Sequence, residues 1–481
     1  MVAAAELLLL KLVILTLVSY TMSAETQNRT EFYTSTVGME RLLQTELAIL
    51  DRLDTIIARS EAEIAYLKRK RDRLRADVAG AKQNPIAYVS NPIGAFLMTK
   101  RLLLDYRDID ARVRRGVGVE LIDDLMALPG EDDLQGVAEG LSRLQEVYRM
   151  KASELAQGKV NGERVVRELS VEECYWIGRA MAQGACFRNA NQWFREALDR
   201  LEVEEACEVS RFEILDYYSH SLSQVGRYEE ALELTNELLG INSTFVGGIA
   251  KKKVIEGWLD HIERNGRKRK LPKPAIIKLY EKLCRGDDER PVELHPTGRL
   301  PGFIELAGPL IKRSAVGDTK NEQISKVRIS QNAWFEDEHD PIVETLNQRS
   351  RDMAGGLREP AYEMLQVNNY GLGGFYSIHY DWSPSANPFP NKGLGNRIAT
   401  LMFYLSDVQE GGSTVFPRLN LAVRPRKGTA IFWYNLHRNG KGQKAPHAAC
   451  PVLIGSKWVA NKWIHEHHQE FVRPCELDPK K

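Results

Sequence analysis

The stretch YSIHYDWSPSA, beginning at Tyr376, sets His379 and Asp381 two residues apart among aromatic and β-branched side chains. In an extended strand alternate side chains share a face, so this spacing turns both groups one way and sends Tyr380 the other. One strand then offers two ligands of a metal site. A further histidine, His447, follows 66 residues after Asp381 (447 − 381) within KAPHAACPVLIGSKWVANKW, and Lys457 comes 10 residues later (457 − 447). Two imidazoles and one carboxylate, with coordination positions left open, form the donor set of non-haem Fe(II) oxygenases. The same three groups would also suit zinc. The lysine and the open coordination argue for iron with a keto acid. A buried ammonium needs an anion, and in a barrel interior Lys457 would pair with the distal carboxylate of 2-oxoglutarate.

Strand-like runs must position these groups. GFYSIHYDW, RIATLMFYLSDV, STVFPRL, TAIFWYNL and SKWVANKWIH are short, rich in β-branched and aromatic residues, and separated by Gly, Pro and Asn. They predict an all-β jelly roll after about Pro360. HEHHQE, with His465, His467 and His468, reads as the solvated end of the last strand rather than a metal cluster.

Upstream the periodicity is helical. From about Gly140 to Lys253, NANQWFREALDRLE and YEEALELTNELLGIN carry apolar residues at helical spacing, with the Gly-centred turn SQVGRY between helices. This predicts two or three tetratricopeptide-like helix pairs. Such stacks form concave grooves that take extended peptides. Tyr217, Tyr218 and Tyr228 are candidates for the groove wall or for the core. Earlier still, Leu43, Leu50, Ile57, Ile64 and Val78 share one heptad position, and Leu53, Leu67 and Leu74 share another. This suits a self-associating helix, or an amphipathic one packed within its own domain. RNGRKRKLPKP reads as a solvated basic linker.

The bulk numbers exclude some classes. The chain has 481 residues, 43% hydrophobic and 27% charged, an ordinary globular composition with room for several domains. A net charge of +1 gives no reason to expect nucleic acid as partner. ELLLLKLVILTLVSYTMSA is apolar and closes in small residues, which predicts a secretory signal peptide over 1–24. Its uncharged run after Lys11 falls short of the roughly 20 residues that span a bilayer, so no membrane span is expected after cleavage. In that pathway the sequons at Asn28 and Asn242 become glycosylation candidates.

The chain resembles the α subunit of collagen prolyl 4-hydroxylase. The stretches that carry the resemblance are VNNYGLGGFYSIHYDW, GLGNRIATLMFYLSDVQEGGSTVFPRL, KGTAIFWYNLHRNGKG and HAACPVLIGSKWVANKWIHEHHQEFVRPC, with FYTSTVGMERLLQTE, NPIGAFLMTKRLLLDY, LSVEEC and ILDYYSHSLSQVGRYEEALEL upstream. The resemblance implies that His379, Asp381 and His447 bind Fe(II), that Lys457 binds 2-oxoglutarate, and that L-ascorbate keeps the iron reduced. It implies hydroxylation of peptidyl proline in collagen-like X-Pro-Gly sequences. It implies domains over 25–139 (dimerisation, helical), 140–253 (peptide binding) and 301–481 (jelly-roll oxygenase), with a linker over 254–300. The implied partner is protein disulfide isomerase, in an α2β2 tetramer held in the endoplasmic reticulum lumen; the chain itself ends Asp-Pro-Lys-Lys, without a retention tail. The implied disulfide joins Cys450 to Cys475. Two departures stand out. LCRGDDERPVELHPTGRLPGFIELAGPLIKRSAV is several tens of residues shorter than the family pattern and lacks a second cysteine after Cys284, which leaves Cys284 expected to stay unpaired or mispair. Met181, Cys186 and Phe187 stand where the family's groove has aromatic hydroxyls. The alternative reading is a non-catalytic collagen-peptide binder with an impaired barrel.

Overall fold

The computed structural model describes residues 36–474, apart from 118–120, 122–127, 205–206, 267–271, 288–293, 295, 299, 317–322, 325, 386–387 and 390–391. The segment 1–24, Asn28 and Cys475 therefore lie outside the described residues. The chain divides into two units, 1–79 and 80–481.

The first unit is dominated by one long helix, α1 (Thr36–Gln83). Its heptad residues Leu43, Leu50, Leu53, Ile57 and Ile64 are each about half exposed. These apolar side chains are thus exposed along much of the helix. Among the described residues no helix is long and apolar enough to cross a membrane.

The second unit begins with helices α2 (Pro92–Lys100), α3 (Tyr106–Val117) and α4 (Glu131–Tyr148). The helix pairs follow: α5 (Val171–Gln183) with α6 (Phe187–Leu201), then α7 (Arg211–Gln224) with α8 (Tyr228–Ile241), then α9 (Val246–Asn265). Each pair opens on the same local device. Ser170 and Ser210 accept from the amides of Glu173 and Glu213, whose carboxylates return to the serine amides. This reciprocal capping satisfies donors that a helix start leaves free. Trp193, Phe194 and Ile214 are fully buried between the pairs. Tyr218, a candidate for the groove wall or the core, lies in the core against Phe194, because its position on α7 faces the neighbouring pair. Tyr217 is half-buried, beside Tyr175 and under the Arg179 guanidinium. Met181 is buried in the core. Asn242 is exposed, and its side chain accepts from the Thr244 amide and hydroxyl.

The segment expected to be a linker is ordered over much of its length. α9 continues to Asn265, and α10 (Ala275–Cys284) buries Tyr280, Leu283 and Cys284 against Val415, Ala422 and Ala448. There Cys284 forms a disulfide with Cys450, with Cα atoms 5.5 Å apart. This corrects two expectations. Cys450 does not pair with Cys475, and Cys284 is not left unpaired. The helix end that carries Cys284 docks on the strands next to Cys450, which no spacing in the sequence announces.

The oxygenase region is a two-sheet jelly roll. Its principal strands are β1 (Lys312–Arg313), β2 (Arg328–Ile329), β3 (Gln331–Phe335), β4 (Leu365–Tyr370), β5 (Phe375–His379), β6 (Arg397–Tyr404), β7 (Thr414–Phe416), β8 (Leu421–Val423), β9 (Thr429–Tyr434), β10 (His447–Ala449) and β11 (Lys457–His465). One sheet has the order β9-β6-β11-β4-β3-β1, the other β8-β7-β10-β5-β2. The ladders between these strands are antiparallel. Alternation decides what each strand shows to the interior. Leu365, Val367, Leu401, Phe403 and Ala460 turn outward and pack with Val343 and Leu346 of helix α11 (Pro341–Met353). The alternate positions Gln366, Tyr370, Thr400, Met402, Lys457, Asn461 and Trp463 line the interior.

Candidate active site

The register between β5 and β10 makes His379 and His447 direct cross-strand partners. Their Nε2 atoms each lie 3.5 Å from a different oxygen of Asp381. The strand itself ends at His379, so Asp381 sits just past it in a bend rather than on the ladder. One ligand atom from each of the three groups falls within 4.8 Å of the others. His379 Nδ1 is 2.8 Å from the Ser377 carbonyl, an arrangement that places the ring proton there and turns a bare Nε2 toward the site. Burial and the facing His447 push the His379 imidazole below its ordinary value, toward the neutral form that ligates metal. Burial alone would raise the Asp381 carboxyl, but His447 and His379 outweigh it and hold the group well below the usual carboxylate range.

A supporting layer escaped the sequence reading. Thr400, fully buried on β6, donates its hydroxyl to Asp381 Oδ2 at 2.7 Å, and Asn435 Nδ2 donates to that hydroxyl at 2.8 Å. Because the oxygen accepts from Asn435, its own proton is committed to Asp381. The signal was available: Thr400 shares the interior face of its strand with Met402 and Tyr404.

Lys457 opens β11 opposite Tyr370 and is 1% exposed. Its ammonium donates to the Gly412 carbonyl at 2.7 Å and to Thr414 Oγ1 at 3.1 Å. Both acceptors are neutral, and burial pushes the amine down to about 7. The rings of Tyr370 and Tyr404 lie 5.7 and 5.8 Å from it. The lysine and the His-Asp-His cluster line one cavity of about 340 Å³. Buried in that cavity without a hydrogen-bond partner among the described residues are Asn461 Oδ1 and the indole nitrogens of Trp433 and Trp463. Orphaned polar groups of this kind mark a site built for a ligand.

The three histidines near the C-terminus divide. His467 and His468 are exposed, as expected, but His465 is fully buried. Its Nε2 lies 2.7 Å from a Glu363 oxygen, and Glu363 also accepts from Arg397 at 2.6 Å. The strand continues inward to this residue, and a buried carboxylate is waiting for it, so His465 is not a solvated end.

The donor set fits Fe(II), since two neutral imidazoles and one carboxylate meet at one point with room beside them. The fold and site define a class. Residues 365–465 match a family model of the 2OG-Fe(II) oxygenase superfamily. Two further models match upstream: the N-terminal region of the prolyl 4-hydroxylase alpha subunit over 35–162, and the prolyl 4-hydroxylase peptide-substrate-binding domain over 171–255. Prolyl 4-hydroxylase subunit alpha-2 of Gallus gallus is 31% identical over 510 aligned positions, covering 92% of this chain and 95% of that protein. Subunit alpha-1 of Homo sapiens is 31% identical, covering 93% and 96%. A solved viral collagen prolyl hydroxylase of Paramecium Bursaria Chlorella virus-1 aligns at 30% identity, over 29% of this chain and 80% of that one, with a TM-score of 0.27. The chain belongs to the prolyl 4-hydroxylase alpha-subunit family, a family of 2-oxoglutarate- and Fe(II)-dependent dioxygenases.

Proposed function

We propose that this chain hydroxylates peptidyl proline at C4 in collagen-like X-Pro-Gly sequences. The overall reaction consumes 2-oxoglutarate and O₂ and yields succinate, CO₂ and the hydroxylated residue. The observation that carries this reading is the joint placement of His379, Asp381, His447 and Lys457 around one cavity. The three ligands would hold Fe(II), and the iron supplies the activation of O₂ that C–H oxidation requires. Lys457 binds the distal carboxylate of 2-oxoglutarate, with Thr414 within reach of the same position. Because its present acceptors are neutral, an incoming carboxylate supplies the counter-charge that this buried group lacks. Thr400 and Asn435 hold the Asp381 carboxylate in place. Hydrophobic walls from Trp433, Met402 and Val459 keep bulk water from the reacting position.

The helix pairs over 171–255 hold the proline-rich chain in its extended form. The exposed stripe of α1 supports self-association, and the full assembly is an α2β2 tetramer with protein disulfide isomerase in the endoplasmic reticulum lumen. L-ascorbate keeps the iron reduced there, residues 1–24 are removed as a signal peptide, and Asn28 and Asn242 carry glycans. The test is 2-oxoglutarate decarboxylation with a Pro-Pro-Gly repeat peptide, followed by mass spectrometry of the peptide. A gain of one oxygen on proline, in step with succinate, is expected. Peptide binding without decarboxylation, under reducing conditions with Fe(II) and oxygen, would establish the non-catalytic binder instead.

A further inference from the structure

A second cavity, a cleft of about 710 Å³, runs between helix α4 and the edge of the jelly roll. Arg313 lines this cleft and also lines the active-site cavity, so that side chain borders both spaces. The walls are fixed. Arg143 of α4 donates to the Gly373 carbonyl at 2.6 Å and stacks on the Phe375 ring at 4.2 Å. Tyr148, at the end of the same helix, donates to the Pro451 carbonyl at 2.6 Å. At Gly373, where φ is +63°, an added Cβ would come within 2.8 Å of the Gly140 Cα, so helix and strand end meet backbone to backbone. On its other side α4 is bonded to the helix pairs, with Trp193 donating to Gln145 at 2.9 Å and Asn189 to the Ser142 carbonyl at 2.9 Å. The cleft therefore lies along a helix that touches both the peptide-binding module and the catalytic domain.

Gly136 is the informative residue in this wall. It sits within the helix, where glycine is less favourable than alanine. Packing does not ask for it, since an added Cβ would meet nothing within 4 Å. Its absence of side chain leaves the cleft open. The polar lining also has a sign. Lys326 and Glu139 pair with each other at 2.8 Å and Asp133 accepts from the Gly130 amide at 2.8 Å, while Arg143 and Arg313 keep N–H donors beyond those they give to the Gly373 and Ser330 carbonyls. Asp132 remains as an acceptor on the helix start. A proline-rich chain in polyproline II form is the matching occupant, because it keeps every carbonyl acceptor and has lost most of its N–H donors.

We propose that this cleft is a substrate subsite. It carries the extended peptide that flanks the target proline, with Arg313 standing between it and the active-site cavity. The proposal rests on the prolyl-hydroxylase reading for its substrate class. It predicts that peptide length is sensed here as well as in the helix pairs.

The test fills the cleft and then labels it, in the full-length chain with its partner subunit. Gly136→Trp should raise KM for a ten-repeat Pro-Pro-Gly peptide by about tenfold, equal to about 1.4 kcal/mol. KM for a two-repeat peptide and for 2-oxoglutarate should stay unchanged, and Gly136→Ala should behave as wild type. An unchanged KM for the long peptide, in a Trp variant that melts like wild type, overturns the proposal. The second measurement does not depend on turnover. Gly136→Cys is incubated with a proline-repeat peptide bearing a bromoacetyl group a few residues from its central proline. Alkylation of position 136 that unlabelled peptide suppresses is the expected result, and no adduct there overturns the cleft whatever the activity. If the adduct forms but wild type hydroxylates no proline peptide, the cleft stands and the catalytic reading falls.

Discussion

Lys457 gives a prediction with a number. Its ammonium sits 1% exposed between neutral acceptors, and burial pushes the amine down to about 7 in the free protein. A bound carboxylate returns the missing counter-charge and lifts the group back toward the ordinary lysine range near 10.4. At pH 8 only about one lysine in ten is charged before binding, so 2-oxoglutarate must bring about 0.9 of a proton with it. At pH 6 the lysine is already charged and the uptake falls to about 0.1. Above pH 7 the affinity should therefore drop by up to tenfold per pH unit, about 1.4 kcal/mol each. The sign is fixed: raising pH discharges the lysine and weakens binding. Calorimetry of 2-oxoglutarate binding to the Fe(II) protein under nitrogen, in buffers of different ionisation enthalpy, reads the proton count directly. Lys457→Arg is the control, because a guanidinium stays charged and should abolish the uptake even if it binds less well. Uptake that does not change between pH 6 and 8, or that persists in the Arg variant, would refute the assignment of the proton to Lys457.

Other perturbations separate the roles of the remaining groups. His447→Ala should abolish iron-dependent turnover while peptide capture by the helix pairs, followed by fluorescence anisotropy, stays intact. Thr400→Val removes the donor to Asp381 and strands Asn435 Nδ2; metal affinity measured by competition titration should fall by roughly 10- to 100-fold, and Thr400→Ser should restore it. Cys284→Ser opens a link across 166 residues and should lower stability by about 2–5 kcal/mol, seen as an earlier denaturant midpoint with the rest of the chain reduced or oxidised alike. Charged substitutions at Leu50 and Leu53 of α1 should shift the protein to smaller species in sedimentation, because both side chains are about half exposed.

The chemistry was legible because its residues obey simple rules. His379 and Asp381 share a spacing, His447 heads a strand-like run, and the alternation of SKWVANKWIH places Lys457, Asn461 and Trp463 on one face. The capping serines Ser170 and Ser210, each followed by glutamate three residues on, mark the repeat starts just as plainly. What stayed hidden depends on contacts distant in sequence. The strands QNAWF and LQVNNY bury Gln366 and Asn368 around the guanidinium of Arg328, so their polar residues disguise interior strands as loops. Glu363 claims His465 from 102 residues away, and nothing local in HEHHQE reveals it. The Cys284–Cys450 pairing belongs to the docking of a helix on a sheet, which sequence spacing does not encode.

The order of strands has a consequence for how the protein is made. β10 lies between β7 and β5, and β11 between β6 and β4, so two late strands of the chain fill the middle of both sheets. Until the ribosome has delivered residues 447–465, four strands wait with an open edge, and open edges invite pairing with other chains. At about 5–20 residues per second the wait from Tyr404 to His465 lasts several seconds. The candidate metal site is subject to the same schedule, since His447 is the last of its three side chains to arrive. A nascent chain therefore cannot acquire metal early and must be sheltered until its final strands slot in. A stop codon near residue 446 would spare 93% of the chain (446 of 481) and still leave no oxygenase domain worth the name.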